Sequence, residues 1–197
     1  MARTEIRITG FGGQGVILLG YIIGRACAIY ANLNATMTQS FGPEARGSAC
    51  SSTLVISDKE VLYPYVIRPD ILVALSSDGY QKHIHELKHE GVLIYDVDLV
   101  EPEKDTGHQC YGIPATRLAE KLGRKIVQNA VVCGFVGAVT EIVPREALRK
   151  ALEESVPAGT QEINLQAFDA GWAYFEENYA DSERVSKKQQ QKLSRAD

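Results

Sequence analysis

The stretch ITGFGGQGVILLG, near the start of this 197-residue chain, most constrains its fold. It places the pattern G-x-G-x-x-G, at Gly10, Gly12 and Gly15, between two apolar runs. The preceding run, residues 4–9, alternates and predicts a β-strand, whereas the following run predicts a buried helix over 14–31. A strand, a tight glycine turn and a helix N-terminus can together bring backbone N–H groups to a phosphate.

The rest of the chain alternates short apolar segments with amphipathic ones. Strands are predicted at 34–38, 70–75, 92–95 and 108–112, and a β-hairpin from 51–57 and 60–63 turns around Ser57-Asp58-Lys59. Helices are predicted at 78–90, from Pro114 onward, and at 129–141, 144–152 and 162–178. This order predicts a three-layer, Rossmann-like α/β domain with a mixed, mostly parallel sheet and an inserted hairpin. The domain is expected to span residues 1–180, with a polar C-terminal tail over 181–197.

A dinucleotide site would also need an acidic residue at the end of the second strand, where it binds the ribose hydroxyls. The sequence there is Met37-Thr38-Gln39-Ser40-Phe41, and Glu44 follows only in a loop beyond Gly42-Pro43. This absence disfavours a nicotinamide-dependent dehydrogenase. Two interpretations of the glycines stay open: they hold a phosphate, or they serve only the turn and the packing of the helix.

Composition narrows the function class further. A formal net charge of −4 disfavours a nucleic-acid-binding protein. The four cysteines are far apart and form no C-x-x-C pair, so no metal site is predicted. They are expected to be reduced thiols in a cytoplasmic protein, and the apolar stretch at 16–23 is too short for a membrane span.

An acidic stretch and one asparagine are further polar features of the sequence. Asp96, Asp98, Glu101 and Glu103 follow a predicted strand, where a metal or substrate could lie, but solvated loop charge is the favoured interpretation. Asn129 is expected to cap the helix that it begins.

The segment 38–58, TQSFGPEARGSACSSTLVISD, is the more distinctive element. Taken with GFGGQGVILLG, the strand DILVAL, NAVVCG at 129–134 and N-x-x-A-F-x-x-G at 164–171, it resembles the γ subunit of the 2-oxoacid:ferredoxin/acceptor oxidoreductases. The resemblance covers residues 4 to about 175 and is greatest to the branch that acts on 2-oxoglutarate. The sequence departs from the family at Ser48, where many relatives have a second glycine after Arg-Gly.

The resemblance implies a subunit of an enzyme complex, without catalytic residues of its own. Such complexes use thiamine diphosphate to decarboxylate a 2-oxoacid, here 2-oxoglutarate, and pass electrons through iron–sulfur clusters to ferredoxin or another acceptor. Coenzyme A takes the acyl group, giving succinyl-CoA. This chain has only a partial thiamine motif, Ser77-Asp78-Gly79, and no iron–sulfur cysteine run. The resemblance therefore assigns thiamine diphosphate, magnesium and the clusters to α, β and ferredoxin-like δ subunits.

The resemblance also implies a surface that packs on the catalytic subunits and helps to form the coenzyme A site. The candidate coenzyme A contacts are Gly10, Gly12, Gly13, Gln14, Gly15 and Arg46. The candidate interface residues are Gln39, Ser40, Phe41, Gly42, Pro43, Glu44 and Gly47. Two roles for Arg46 stay open, a contact to a phosphate and a salt bridge to a partner subunit. The alternative for the whole chain is a free-standing nucleotide- or CoA-binding module.

Overall fold

The computed structural model describes residues 3–42, 49–104 and 106–180. Within these residues, six strands form one sheet in the order β2-β3-β1-β4-β5-β6. The strands are β1 (Thr4–Phe11), β2 (Asn34–Phe41), β3 (Ala49–Ser57), β4 (Ile71–Ala74), β5 (Val92–Asp96) and β6 (Gln109–Ile113). β3 alone runs antiparallel to its neighbours, while β1, β4, β5 and β6 pair in parallel. The predicted mixed, mostly parallel sheet is confirmed.

Helices cover both faces of the sheet. The described residues form α1 (Val16–Arg25), α2 (Ser77–His83), α3 (Ala115–Lys121), α4 (Gln128–Thr140), α5 (Arg145–Glu153) and α6 (Gln161–Asn178). α1 continues as a π-helix over Ala26–Tyr30, and α2 continues as a 3₁₀ turn over Ile84–Glu86, which ends the helix earlier than predicted. None of the helices in the described ranges is long and apolar enough to cross a bilayer.

Successive strand residues alternate between two apolar cores. Ile6 and Ile8 of β1 belong to the larger core, which also contains the buried faces of α1, α4, α5 and α6. Leu72 and Ala74 of β4 belong to a smaller core on the other face, together with Tyr80 of α2. This alternation gives the predicted three layers, with helices on both sides of the sheet.

The hairpin predicted around Ser57-Asp58-Lys59 is wrong. β3 ends at Ser57, and residues 60–63 form no strand. β3 instead pairs with β2, from Asn34 opposite Ser57 to Phe41 opposite Cys50, and its other edge pairs with β1. The physical reason is that Ser57-Asp58-Lys59 contains no glycine or asparagine, the residues that tight hairpin turns favour.

α4 and α6 cross at two glycines. A Cβ atom on Gly134 would lie 1.9 Å from the carbonyl oxygen of Phe168, and one on Gly171 would lie 1.9 Å from that of Val131. Both neighbours are backbone atoms, so no side-chain movement could make room for a methyl group. The sequence motifs NAVVCG and N-x-x-A-F-x-x-G therefore form one helix–helix contact.

An ion pair between Arg7 and Glu86 lies beside the buried His83 of α2 and is itself only partly buried. Nη2 of Arg7 is 3.0 Å from Oε2 of Glu86, and Nδ1 of His83 is 3.2 Å from Oε1 of Glu86. Burial, followed by the positive charge of Arg7, lowers the pKa of His83 below its ordinary value of 6.5, although Glu86 acts in the opposite direction. The imidazole is therefore held neutral in the folded chain.

We expect His83 to contribute a decrease in the free energy of unfolding as the pH falls through about 6.5. Below about pH 6.5 the unfolded chain protonates His83 more readily than the folded chain does, so acid favours unfolding. Urea denaturation at several pH values should show a shallower pH dependence in His83→Gln than in the wild type. His85→Gln, which changes an exposed histidine nearby, is the control. Equal slopes in the wild type and His83→Gln would contradict the expectation.

Candidate functional site

The segment 10–15, called the glycine loop below, lies where the carboxyl ends of β1, β2, β4, β5 and β6 meet one edge of the sheet. We call this the carboxyl edge. After β1 the chain crosses to the face that carries α1, and after β4 it crosses to the face that carries α2. Open α/β sheets bind ligands in the crevice where the crossing direction reverses in this way. The glycine loop therefore lies at the position where such a fold forms a ligand site.

The side chain of Gln14 bridges the crevice between β1 and β4. Its Oε1 accepts a hydrogen bond from the N–H of Phe11 at 2.6 Å, and its Nε2 donates to the carbonyl of Leu75 at 2.8 Å. Its backbone N–H also donates to the carbonyl of Phe11 at 3.1 Å. The side chain thus fixes the shape of the glycine loop, and its predicted contact with coenzyme A stays a prediction.

The remaining N–H groups of the glycine loop are left for an outside acceptor. Gly13 and Gly15 have φ values of +100° and +75°, which a residue with a side chain rarely adopts. No described residue accepts a hydrogen bond from the N–H of Gly12, Gly13 or Gly15. α1 begins directly afterwards, without a side-chain cap and without an acidic residue in its first turn. Such a helix start favours an anion.

Gly15 also lets the glycine loop approach α4. A Cβ atom on Gly15 would lie 2.7 Å from Cβ of Asn129 and 2.9 Å from its Nδ2. The expected capping role of Asn129 is wrong, because α4 begins at Gln128 and has no side-chain cap. Asn129 is instead buried against the glycine loop, with 5% of its surface exposed.

Two cavities flank Gly13. The first, of about 240 Å³, lies between the glycine loop and the start of α6. It is lined by Gly13, Gly15, Leu18, Arg124, Ile126, Val127, Asn129, Val156, Pro157, Thr160, Ile163 and Asn164. The second, of about 420 Å³, is lined by Gly13, Gln14, Leu99, Thr116, Lys125, Ile126 and Gln128. Each cavity thus combines the glycine loop with one exposed basic side chain.

Arg124 and Lys125 were not among the residues predicted from the sequence. They lie between α3 and α4, and the only signal for them was two adjacent basic residues after Gly123, which follows the end of α3. Nothing in that spacing showed that α4 would bring them back to the glycine loop.

The predicted interface segment reaches the same carboxyl edge. Gln39, Ser40 and Phe41 belong to the end of β2 rather than to a loop, because the strand continues three residues beyond its predicted end. All three are exposed, Phe41 by 67%. Gly42 follows and donates its N–H to the carbonyl of Ala49 at 2.9 Å. The other predicted residues of this segment, Pro43, Glu44, Arg46 and Gly47, lie outside the described residues.

The order of the strands separates this site from a nicotinamide-binding site. β2, the strand that follows α1, is separated from β1 by the antiparallel β3. In a dinucleotide-binding fold the strand after the first helix lies beside the first strand and presents its acidic residue to the ribose. Here neither the acid nor the neighbouring strand is present at that position.

Asp96 ends β5 at the carboxyl edge and is fully buried. Its Oδ1 accepts from the N–H of Asp98 at 3.0 Å, and its Oδ2 accepts from Thr116 N at 3.3 Å and Gln128 Nε2 at 3.2 Å. Burial raises the pKa of Asp96, while the hydrogen bonds from Asp98 and Thr116 oppose the shift. The prediction that Asp96 is a solvated charge in a loop is therefore wrong. Asp98 is exposed, as that prediction expects. Asp96 holds β5, α3 and α4 together beneath the second cavity.

We expect Asp96→Asn to lower the free energy of unfolding by about 2–3 kcal/mol. The amide keeps the shape of the carboxylate but replaces one acceptor oxygen with an NH₂ group, which faces donors and leaves a buried group unsatisfied. Asp98→Asn, which changes the exposed partner of Arg117, should cost less than about 1 kcal/mol. Urea denaturation measures both, and equal costs would contradict the role given to Asp96.

The model of the family described as pyruvate ferredoxin/flavodoxin oxidoreductase matches residues 5–174. The chain is 49% identical to the 2-oxoglutarate synthase subunit KorC of Methanocaldococcus jannaschii over 173 residues, which cover 86% of this chain and 92% of that subunit. It is 47% identical over 176 residues to the subunit of the same name in Methanothermobacter marburgensis, covering 86% of this chain and 95% of the relative.

Solved structures with the same fold agree with this match. The keto/oxoacid ferredoxin oxidoreductase gamma subunit from Geobacter sulfurreducens PCA superposes with a TM-score of 0.80 at 38% identity, covering 88% of this chain and 96% of that one. A 2-oxoglutarate:ferredoxin oxidoreductase from Magnetococcus marinus, solved with 2-oxoglutarate, coenzyme A and succinyl-CoA bound, shares the fold, with a TM-score of 0.79 at 24% identity, over 87% of this chain and 30% of that one. The resemblance to a γ subunit is confirmed, and the chain belongs to the pyruvate ferredoxin/flavodoxin oxidoreductase family.

Proposed function

We propose that the chain is the γ subunit of a complex that oxidises 2-oxoglutarate to succinyl-CoA and passes the electrons to ferredoxin. One observation carries this proposal. The chain is 49% identical to a 2-oxoglutarate synthase subunit, and the match covers 92% of that subunit. In this proposal thiamine diphosphate, magnesium and the iron–sulfur clusters lie on α, β and δ subunits. The role of this chain is then to pack on those subunits and to complete the coenzyme A site.

The proposed coenzyme A contact is the glycine loop together with Arg124 and Lys125. Phosphate oxygens accept hydrogen bonds from backbone N–H groups at a helix start and from guanidinium and ammonium groups. The N–H groups of Gly12, Gly13 and Gly15 have no acceptor among the described residues, and the two basic side chains line the cavities on either side of Gly13. The first cavity is lined mainly by apolar side chains and suits a less polar part of the same ligand.

When bound, coenzyme A supplies the thiol that takes the acyl group. The contribution of this chain is to hold the phosphates, so that the thiol end is free to reach a partner subunit. Asp96 and Gln14 act indirectly, because they fix the second cavity and the glycine loop through internal hydrogen bonds.

In the assembled complex, we expect the double variant Arg124→Ala with Lys125→Ala to raise the KM for coenzyme A by about tenfold, the equivalent of about 1.4 kcal/mol. The KM for 2-oxoglutarate should change by less than about twofold, because its site lies on the partner subunits in this proposal. Arg68→Ala removes an exposed basic residue between β3 and β4 and is the matched control. An unchanged KM for coenzyme A would contradict the proposed contact and leave the subunit role untouched.

Arg46→Ala distinguishes the two roles proposed for that residue. A raised KM for coenzyme A in an intact complex supports a phosphate contact. Loss of the partner subunits during purification, with an unchanged KM in the complex that remains, supports an interface salt bridge.

Co-purification tests the subunit role itself. The chain, carrying an affinity tag in its native source, should recover proteins that contain a complete thiamine motif and ferredoxin-like cysteine runs. Recovery of the chain alone would contradict the proposal and favour the free-standing CoA-binding module.

A further inference from the structure

The two outermost strands of the sheet, β6 and β2, differ in what covers their outer sides. At the β6 edge, the hydroxyl of Tyr179 donates to the carbonyl of Gly112 at 2.8 Å and accepts from its N–H at 3.0 Å. The side chain of Tyr179 thereby occupies main-chain groups with which a further strand would pair. At the other edge, β2 is eight residues long, and in the described part of the chain no strand pairs with its outer side.

β2 also lacks the features by which edge strands avoid other strands. Its sequence, NATMTQSF, contains no charged residue and no proline. Natural edge strands are commonly short, charged, bulged or covered, because an open edge is a template for another strand. Eight residues of open edge extend over about 27 Å.

An apolar groove lies beside this edge, on the face that carries α1. It has a volume of about 290 Å³ and is lined by Tyr21, Gly24, Arg25, Ala28, Ile29, Ala35, Thr36 and Met37. Ile29 is 64% exposed and Tyr21 is 48% exposed. Arg25 is the only charged residue of this lining, and it is paired with Glu154 of the same chain. The groove is therefore neutral and offers no counter-charge to an acidic or basic peptide.

We propose that β2 pairs with β2 of a second copy of this chain, antiparallel about a two-fold axis perpendicular to the sheet. A two-fold axis places the same surface of each copy together, so any net charge on that surface would meet the same charge. β2 has no charged residue and the groove beside it is neutral, so pairing of two copies meets no such repulsion. Both α1 helices then lie on the same face of one continuous sheet. The exposed side chains of Tyr21 and Ile29 then lie beside the new strand pair in both copies, so pairing also buries apolar surface.

The symmetry restricts the register of this pair. Ala35 and Met37 contact the core on the α1 side, whereas Thr38 faces the other side, where its hydroxyl lies 2.6 Å from that of Thr53. Directly opposed residues of antiparallel strands share a face, so a residue at the axis stands opposite its own copy. Met37 and Thr38 are the two middle residues of β2, so pairing along the full length of the strand places one of them at that central position.

Sedimentation or light scattering of the full chain, from about 1 to about 100 µM, tests the pairing. We expect a dimer that dissociates on dilution. Ile29→Lys should raise its dissociation constant by at least about tenfold, because it places a charged ammonium group in an apolar interface on each copy. Ile67→Lys changes a side chain with 66% exposure, between β3 and β4, and should leave the constant unchanged. A monomer at every concentration, or equal effects of the two variants, would overturn the proposal.

Cysteine cross-linking in the assembled complex identifies the occupant of the edge. Of the variants Met37→Cys and Thr38→Cys, the one at the axis should form a disulfide between two copies of this chain under mild oxidation, since opposed residues lie within the reach of a disulfide. Leu62→Cys, at a site 84% exposed in the connection between β3 and β4, should not. Cross-linking of β2 to a different subunit, or none from either position, would overturn the proposal. The co-purification result is independent of this outcome.

Discussion

Gly134→Ala and Gly171→Ala are each expected to lower the free energy of unfolding by at least about 3 kcal/mol. Each added methyl group would lie 1.9 Å from a carbonyl oxygen of the facing helix, well inside van der Waals contact. Backbone atoms cannot rotate away, so α4 and α6 must move apart. That movement would open the core around Phe135 and Phe168, which are fully buried between them.

Urea denaturation measures this cost, and Gly24→Ala is the matched control. Gly24 also lies in a helix, but a Cβ atom there would meet only Cδ2 of Leu54, at 3.2 Å, a side-chain end that needs to shift by only a few tenths of an ångström. Alanine also favours the helix by about 1 kcal/mol over glycine, so Gly24→Ala should be nearly neutral. A cost at Gly134 or Gly171 as small as that at Gly24 would contradict the close crossing of the helices.

Gly15→Ala is expected to raise the KM for coenzyme A in the assembled complex by at least about tenfold. The new methyl group would lie 2.7 Å from Cβ of Asn129, and the residue has a φ of +75°, which strains an alanine. Relief of this clash moves the glycine loop away from α4. The N–H groups proposed to hold the phosphates then lose their positions relative to Arg124 and Lys125.

Gly107→Ala separates this effect from backbone strain. Gly107 has a similar φ of +68°, nothing lies within 4 Å of its added Cβ atom, and it lies in the loop before β6. We expect it to cost about 1 kcal/mol of stability and to leave the KM for coenzyme A unchanged. Equal KM values for Gly15→Ala and Gly107→Ala would contradict the role of the glycine loop as the phosphate contact.

The parts of the fold that the sequence predicts well are those with strong local signals. The continuous apolar run DILVAL predicts the buried parallel strand β4, and the apolar stretch after Gly15 predicts α1. The hairpin was mispredicted because strand pairing is not local. The uncharged β2 and β3 each fit several partners, and the pattern of their residues does not say which strand lies beside which.

The candidate site was predictable only in part, for a related reason. The glycine loop is a local motif, and its φ values above zero follow from its glycines. Arg124 and Lys125 line cavities with Gly13 only because α4 packs beside the glycine loop. Asp96 is buried only because α3 and α4 pack over it. Each of these positions depends on contacts between residues that are distant in sequence. The motifs around Gly134 and Gly171 identified the family, but their physical role is the crossing of α4 and α6.

The proposed function makes this chain a required γ subunit of a 2-oxoglutarate-oxidising complex. The most direct measurement compares the complex purified with the chain and the complex purified without it, by reduction of ferredoxin in the presence of 2-oxoglutarate and coenzyme A. We expect activity to be lost without the chain, to return when the purified chain is added, and to be greater with 2-oxoglutarate than with pyruvate. Full activity of the partner subunits in its absence would contradict the claim.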